Sequence, residues 1–502
     1  MGRRHPAWRY ALLALSLTVV ALVAFHPHWN VASGERRELT THMDAYVHWG
    51  RAKAALDQGT VAYAEPFAPA GSQQDFDLRA SLHERGYHAY LAALKDATGL
   101  DWLTLWEYIP LTMALLLALT VFALAERWGA GAEAALWVAA IPTSLRFLGP
   151  AFMAPMAFAL PLFVAGIIPL FRLERGPKVL ALFVIICGLW PIHTMPALAL
   201  SALAATDGLI RLRRAIMPSL AQLGGVAVPI LVVAPYIEYF LESRPGSQEL
   251  PAEIETVRMA GLAFFLAAAL GAALLAARRA TAHAALVLAP PIIYLGALAI
   301  ERVRTGNDVL AIYDRSLMII YVLCAMLGGV AVARLPRVLV RGSRGAAPGG
   351  ALALASILLL SGQMVAVAGA AAPQFGQPYY EVLSPSRYEA YVAAARVLNE
   401  THRVALVDDS SGMAFSILTG RPLHFTFYPS SQGVAPSVSA FTAAGSRDTR
   451  FLVENGITVV VTLQTVENPD LRQVAEGVYV LRHDYAARIA AAQLAQLERS
   501  RN

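Results

Sequence analysis

Long apolar windows dominate this chain and restrict it to folds that a lipid bilayer can hold. A helix needs about 20 mostly apolar residues to cross the hydrocarbon core of a membrane. Of the 502 residues, 57% are hydrophobic and only 15% are charged. The sequence therefore predicts a polytopic α-helical membrane protein with about 11 transmembrane helices, near 8–25, 104–124, 132–147, 151–171, 179–191, 195–210, 219–240, 259–277, 282–300, 315–333 and 351–371.

The positive charges predict how these helices are oriented. The net charge is +5, and the arginines cluster in short segments after alternate windows. Cytoplasmic loops of membrane proteins are enriched in Arg and Lys. We therefore expect a multi-pass protein of the plasma membrane with a cytoplasmic N-terminus, and no nucleic-acid partner. The same topology puts the long loop 26–103 and the C-terminal tail on the extracytoplasmic side.

The C-terminal tail has a different composition from the rest of the chain. Runs rich in β-branched or aromatic residues, at 404–408, 422–427, 457–463 and 478–481, alternate with helical stretches. This alternation predicts a soluble α/β domain with a mostly parallel sheet. We therefore divide the chain into a transmembrane domain, 1–372, which includes the loop 26–103, and an extracytoplasmic domain, 373–502.

The loop 26–103 contains the first candidate catalytic group. In a helix, Asp44, His48 and Arg51 would share one face, since they are four and three residues apart. A carboxylate beside an imidazole suits acid/base chemistry, and Asp44 and His48 are candidate ligands for a metal ion. The alternative is structural, with Thr41 and Asp44 as a capping pair that begins the helix.

Other polar residues lie at the predicted outer ends of the bundle. Arg146 and Arg315 are candidates for phosphate contact, or for arginines that extend from the membrane edge into water. His193, in the Pro-flanked break between two short windows, is a candidate for contact with substrate or metal, or it satisfies a helix end. Asp75 and Asp77 are further acidic candidates in the loop, or a turn and helix cap.

The layout resembles the GT-C superfamily of membrane glycosyltransferases, which includes oligosaccharyltransferases and protein O-mannosyltransferases. Met43-Asp-Ala-Tyr-Val-His48 stands where that family has an acidic first outer loop, and Glu84-Arg-Gly-Tyr-His88 begins a second loop helix. A bundle of spans with an outer C-terminal domain completes the likeness.

The resemblance implies a sugar donor on polyprenyl phosphate or pyrophosphate and an inverting transfer on the extracytoplasmic side. A hexose or pentose would pass to a glycan, lipid or protein acceptor. Asp44 would be the base or a metal ligand with His48 beside it, and a divalent cation, Mg²⁺ or Mn²⁺, is the candidate cofactor. The substrate-binding candidates are Arg146, His193, Arg315, Asp75, Asp77 and His88.

Two departures from the family pattern affect this prediction. Oligosaccharyltransferases carry a second acidic motif in the next short outer loop, and residues 147–153 contain no acid. They also carry a Trp-Trp-Asp motif in the outer domain, whereas residues 373–502 contain no tryptophan. We therefore expect no transfer to an asparagine sequon, and a metal-independent mechanism becomes more plausible.

Two other functions remain open at the level of sequence. A flippase or transporter of lipid-linked glycans would equally carry polar groups at broken helices, although the windows show no internal repeat and little charge inside the membrane. A non-catalytic assembly protein would use its outer domain to bind a partner.

Overall fold

The structure of the chain is a computed structural model that divides into two compact units. One unit comprises Met1–Pro27, Asp77–Tyr90 and Ala97–Gln374, and the other comprises His28–Phe76, Leu91–Asp96 and Phe375–Asn502. Within these units the structure describes residues 7–25, 43–61, 84–141, 153–173, 175–212, 216–242, 262–278, 281–288, 312–340, 385–398, 405–407, 412–420, 441, 446–454 and 456–482. The sequence-based division at residue 372 stays a prediction.

Apolar helices make up most of the described chain before residue 341. They are α1 (Ala7–Phe25), α2 (Met43–Gln58), α3 (Arg85–Thr98), α4 (Trp102–Ala125), α5 (Gly131–Val138), α6 (Pro155–Arg172), α7 (Arg175–Leu189), α8 (Thr194–Leu212), α9 (Ile216–Glu242), α10 (Leu262–Ala276) and α11 (Ile312–Val340). A further helical segment covers 281–288.

Four described segments are long and apolar enough to cross a membrane: Thr104–Trp128, Pro155–Arg172, Thr194–Leu212 and Met318–Leu335. Shorter apolar helices cover Arg9–Ala24, Gly176–Leu189, Ile216–Leu231 and Phe264–Ala276. The expected span at 351–371 lies outside the described residues, and so does most of 282–300. The membrane-protein class is therefore supported, whereas the count of eleven spans stays a prediction.

Close helix contacts through small residues organise the first unit. α11 packs against α10 and α5, and α4 packs against α5 and α6. A methyl group added at Gly271 of α10 would overlap the carbonyl group of Leu327, and one at Gly329 of α11 would overlap the backbone of Ala134. Small residues of this kind let helices in membranes approach each other closely.

The second unit contains a small sheet flanked by helices. Its C-terminal elements are α12 (Pro385–Val397), β1 (Ala405–Val407), α13 (Gly412–Thr419), α14 (Thr449–Glu454), β2 (Val459–Val461), β3 (Leu471–Ala475) and β4 (Val478–Leu481). The strand order is β1-β2-β4-β3. Beneath the sheet, Leu452 and Ile457 pack with Val460 and Leu481 in an apolar core. In the same unit, α2 packs against α13.

The expectation of a mostly parallel sheet is wrong for the described strands. β1 pairs with β2 in parallel, Ala405 opposite Val459, but β4 is antiparallel to both β2 and β3. The reason is local: Gly477, at a φ of 69°, sits in the two-residue turn between β3 and β4, and such a turn reverses the chain into a hairpin. The strand expected at 422–427 lies outside the described residues.

Candidate functional site

The helix expected around Asp44 is present as α2. Asp44 is its second residue and His48 follows one turn later, so the two lie on one face of the helix. His48 is buried, and the rings of Tyr46 and Trp49 stack with centroids 6.2 Å apart. The side chain of Asp44 lies outside the described residues, so its predicted chemical role stays a prediction.

A second acid-imidazole pair occupies the start of α3. Glu84 directly precedes this helix, and its carbonyl oxygen accepts hydrogen bonds from the backbone N–H groups of Tyr87 and His88, at 3.0 and 3.1 Å. A carboxylate oxygen of Glu84 and a ring nitrogen of His88 lie within 4.8 Å of each other. Two ligands that each lie about 2.1 Å from one metal ion are at most about 4.2 Å apart, so this upper limit is compatible with a shared ion after a small adjustment.

The backbone of Glu84 is held in an unusual conformation. Its φ angle is positive, at 64°. Among the described non-glycine residues, only Ser446 also has a positive φ, at 56°. A residue with a side chain is strained in this left-handed region, and such strain concentrates at functional sites. Glu84 is therefore a site candidate on backbone grounds as well as by its chemistry. The sequence prediction had named only His88 of this pair.

Tyr87 anchors the start of α3 in an apolar environment. Its side chain is fully buried, and its ring centroid lies 6.0 Å from the ring centroid of Phe158 on α6. The ring centroid of Tyr90 lies 4.1 Å from the same Phe158 centroid. Burial raises the pKa of Tyr87 well above its ordinary value, and the nearby Glu84 carboxylate adds to the rise. The phenol therefore remains neutral at pH values where an exposed tyrosine begins to ionise.

The same end of α3 is bonded to the break between α7 and α8. The Gly86 N–H donates to the carbonyl oxygen of Pro191 at 2.8 Å, and a methyl group at Gly86 would come within 2.9 Å of the Pro191 ring. His193, in this break, is buried and its Nδ1 accepts the N–H of Met195 at 3.2 Å. The fold thus brings the segments that carry His88 and His193 together.

A buried polar network that the sequence prediction missed centres on Asp207 of α8. Its Oδ2 accepts from Lys178 Nζ at 3.0 Å and from Gln222 Nε2 at 3.2 Å. Its Oδ1 accepts from Arg211 Nε at 2.9 Å and lies 2.6 Å from His283 Nε2. One carboxylate therefore connects α7, α8, α9 and the segment 281–288. The sequence feature that could have indicated this network is Asp207 itself, a single acidic residue within the apolar window 195–210.

The remaining predicted site residues cannot be placed. Asp75, Asp77 and Arg146 lie outside the described residues. Arg315 is the fourth residue of α11, but its side chain also falls outside them. Their assignment to substrate binding stays a prediction.

This chain is similar to known proteins in structure, but no similarity in sequence was found. No protein-family model matches the chain, and no curated protein sequence matches it. Three solved structures of an oligosaccharyltransferase from Archaeoglobus fulgidus are similar to it. The apo form aligns with a TM-score of 0.62 and 11% identity, covering 91% of this chain and 69% of that one.

The other two structures contain bound molecules. One holds the enzyme, AglB, in complex with an inhibitory peptide and a dolichol-phosphate, with a TM-score of 0.58, 12% identity and 90% and 69% coverage of this chain and that one. The other is tethered to an acceptor peptide that contains the NVT sequon, with a TM-score of 0.59, 11% identity and 91% and 69% coverage. The chain therefore has the fold of the archaeal oligosaccharyltransferase AglB, a GT-C glycosyltransferase, as the resemblance seen in the sequence implied.

Proposed function

We propose that this chain is a membrane glycosyltransferase that takes its sugar from a lipid-linked donor. The observation that carries the proposal is the shared fold, which extends over about nine-tenths of the chain. One of the similar structures contains a dolichol-phosphate, and the sequence independently placed a candidate base in the first outer loop. The donor proposed here is a sugar on polyprenyl phosphate or pyrophosphate, used on the extracytoplasmic side.

Asp44 is the proposed base. Its carboxylate would accept the proton of the acceptor hydroxyl while that oxygen attacks the anomeric carbon of the sugar. The bond from the anomeric carbon to the phosphate oxygen breaks in the same step, so the configuration inverts and the lipid phosphate leaves with the bonding electrons. His48, one turn further on α2, would orient the Asp44 carboxylate by donating a hydrogen bond to it.

A divalent cation has two candidate ligand pairs, one in each unit. Both have the form acid-x-x-x-His at the start of a helix: Asp44 with His48 on α2, and Glu84 with His88 on α3. The spacing of the Glu84 and His88 ligand atoms is compatible with one ion, and a carboxylate with an imidazole suits Mn²⁺ better than Mg²⁺, which prefers oxygen ligands. A bound cation would supply positive charge to the departing phosphate.

The proposed acceptor carries a hydroxyl group. The similar structures include one tethered to an acceptor peptide with an asparagine sequon. The C-terminal domain of this chain, however, contains no tryptophan and therefore no Trp-Trp-Asp motif. A glycan, a lipid or a serine- or threonine-containing protein is the acceptor class that remains.

The test compares two aspartates of α2. Purified protein in nanodiscs would be given polyprenyl-phosphate sugars and hydroxyl acceptors, with transfer followed by mass spectrometry. Asp44→Asn should lower the transfer rate by about 10²–10⁴-fold, the range for loss of a general base, without weakening binding of the donor. Asp57→Asn, at an exposed position of the same helix, should behave as wild type. A folded Asp44→Asn protein with a wild-type rate would refute the assignment of the base.

The cation is tested separately. Chelator treatment followed by addition of Mn²⁺ or Mg²⁺ shows whether the reaction depends on metal. If α3 holds the ion, His88→Ala should raise the Mn²⁺ concentration needed for half-maximal rate, whereas His48→Ala should lower the rate at saturating Mn²⁺. The opposite outcome would assign the ion to α2.

A further inference from the structure

The break between α7 and α8 contains polar atoms that are buried without a partner. The indole N–H of Trp190 and the hydroxyl of Thr194 have no hydrogen-bond partner among the described residues, although both side chains are more than nine-tenths buried. Most buried polar groups in folded proteins are paired, so an unpaired one requires an explanation such as a bound ligand. Trp137 and Ser201 have further atoms of this kind, but Trp190 and Thr194 lie within five positions of each other.

Several hydroxyl groups elsewhere in the helices of this protein are satisfied locally. Those of Ser16, Thr112 and Thr206 each donate to the carbonyl oxygen four residues earlier, at 2.7 to 2.9 Å. Thr194 is the first residue of α8 and forms no such bond. Its hydroxyl is therefore available to a group that approaches the start of the helix.

The groups around this helix start are mostly hydrogen-bond donors. An indole can only donate, and a hydroxyl can donate. Because His193 Nδ1 accepts the N–H of Met195, the neutral ring carries its hydrogen on Nε2, which is then a donor as well. The first turn of a 19-residue helix also carries partial positive charge. Hydrogen-bond donors close to one another along the chain, at a helix N-terminus, suit a phosphate group.

We propose that the start of α8 binds the phosphate group of the donor lipid, with Trp190 Nε1 and Thr194 Oγ1 donating hydrogen bonds to its oxygens. The proposal rests on the proposed function, because it assigns the donor's phosphate to particular residues. The hydrogen bond from Gly86 to Pro191 holds the break in place from the side of α3. The charge-topology prediction puts this break on the extracytoplasmic side, where the donor would be used.

The experiment measures binding of dolichyl phosphate and of dolichol to the full-length protein in nanodiscs. The ratio of the two affinities isolates recognition of the phosphate from recognition of the lipid tail. Thr194→Val removes the hydroxyl but preserves side-chain volume, and Trp190→Phe removes the indole N–H. Ser201→Ala is the matched control, because Ser201 has an equally buried and unpartnered hydroxyl two turns further along the same helix.

Thr194→Val should weaken binding of dolichyl phosphate by roughly tenfold or more, the effect of losing a hydrogen bond to a charged group, and leave dolichol binding unchanged. Its melting temperature without lipid should equal or exceed that of wild type, because an unpaired buried hydroxyl has been removed. Trp190→Phe should lower the same affinity ratio, and Ser201→Ala should not change it.

Two outcomes would overturn the proposal, and they are distinguishable. If wild type prefers dolichyl phosphate over dolichol but Thr194→Val and Trp190→Phe keep the full preference, the phosphate binds elsewhere and the proposed glycosyltransferase function stands. If wild type shows no preference for the phosphate, the lipid-phosphate donor itself is refuted together with this site.

Discussion

The buried ion pair between Lys178 and Asp207 leads to a quantitative prediction about stability. Lys178 Nζ and Asp207 Oδ2 are 3.0 Å apart, and their side chains are only 4% and 0% exposed. Asp207→Ala would leave the ammonium group of Lys178 buried without its carboxylate, and removing one partner of a buried ion pair costs about 3–5 kcal/mol. Arg211 adds little to this figure because its side chain is 38% exposed and its charge can be solvated.

The assay is unfolding of the purified protein in detergent, followed by intrinsic fluorescence at increasing temperature or denaturant. Asp207→Ala should be the least stable variant. Asp207→Asn should be intermediate, since the amide oxygen still accepts hydrogen bonds from Lys178 or Gln222. The double variant Lys178→Met with Asp207→Leu should recover most of the loss, because an apolar pair can replace a buried ion pair at little cost.

A surface ion pair of the same length provides the control. Arg447 Nη2 and Glu467 Oε2 are also 3.0 Å apart, but these side chains are 71% and 69% exposed. Glu467→Ala should change the free energy of unfolding by less than about 1 kcal/mol. If Asp207→Ala is as stable as Glu467→Ala, the reasoning from burial is refuted.

Three further predictions concern other parts of the structure. Glu84→Gly should stabilise the fold by about 1 kcal/mol, because glycine adopts a positive φ without strain, yet lower the proposed transferase rate, whereas Glu84→Gln should lower only the rate; melting and transfer assays on both variants check this. Tyr87→Phe should make the melting temperature fall less steeply between about pH 9 and 11. In the wild type, the folded-state pKa of Tyr87 is raised, so above about pH 10 this tyrosine ionises in the unfolded chain and ionisation favours unfolding. Equal slopes of melting temperature against pH for the two proteins would contradict this prediction. Gly271→Ala should sharply reduce the yield of folded protein by forcing α10 away from Leu327, while Gly224→Ala, with no atom within 4 Å of the added methyl group, should not; size-exclusion chromatography after solubilisation distinguishes these results.

The sequence was most informative where a structural rule acts locally. The apolar windows at 104–124, 151–171, 195–210 and 315–333 correspond to α4, α6, α8 and α11, because a span is defined by its own composition. The helix that puts Asp44 and His48 on one face also follows from local spacing.

Features that depend on distant partners were predicted less well. The role of the Asp207 carboxylate depends on its contacts with Lys178, Gln222 and His283, which come from three other segments of the chain. The sheet was expected to be mostly parallel because strands alternate with helices along the chain. The β3–β4 hairpin was missed because β3, with exposed side chains at Arg472, Gln473 and Val474, lacks the apolar signal of a strand. The backbone strain at Glu84 has no counterpart in residue type, since glutamate rarely adopts a positive φ.

Asp207 also bears on the order in which the chain can enter a membrane. An aspartate within a span opposes insertion, by up to about 3 kcal/mol near the middle of a helix, and Asp207 lies in the second half of α8. Lys178 is synthesised before Asp207, whereas Gln222 and His283 are synthesised after it. If α7 is still beside the translocation channel when α8 emerges, its lysine can neutralise the incoming carboxylate before the later segments arrive. Helices α7 and α8 would then insert cooperatively. Loss of Lys178 would reduce the efficiency of α8 insertion during biosynthesis as well as the stability of the folded protein.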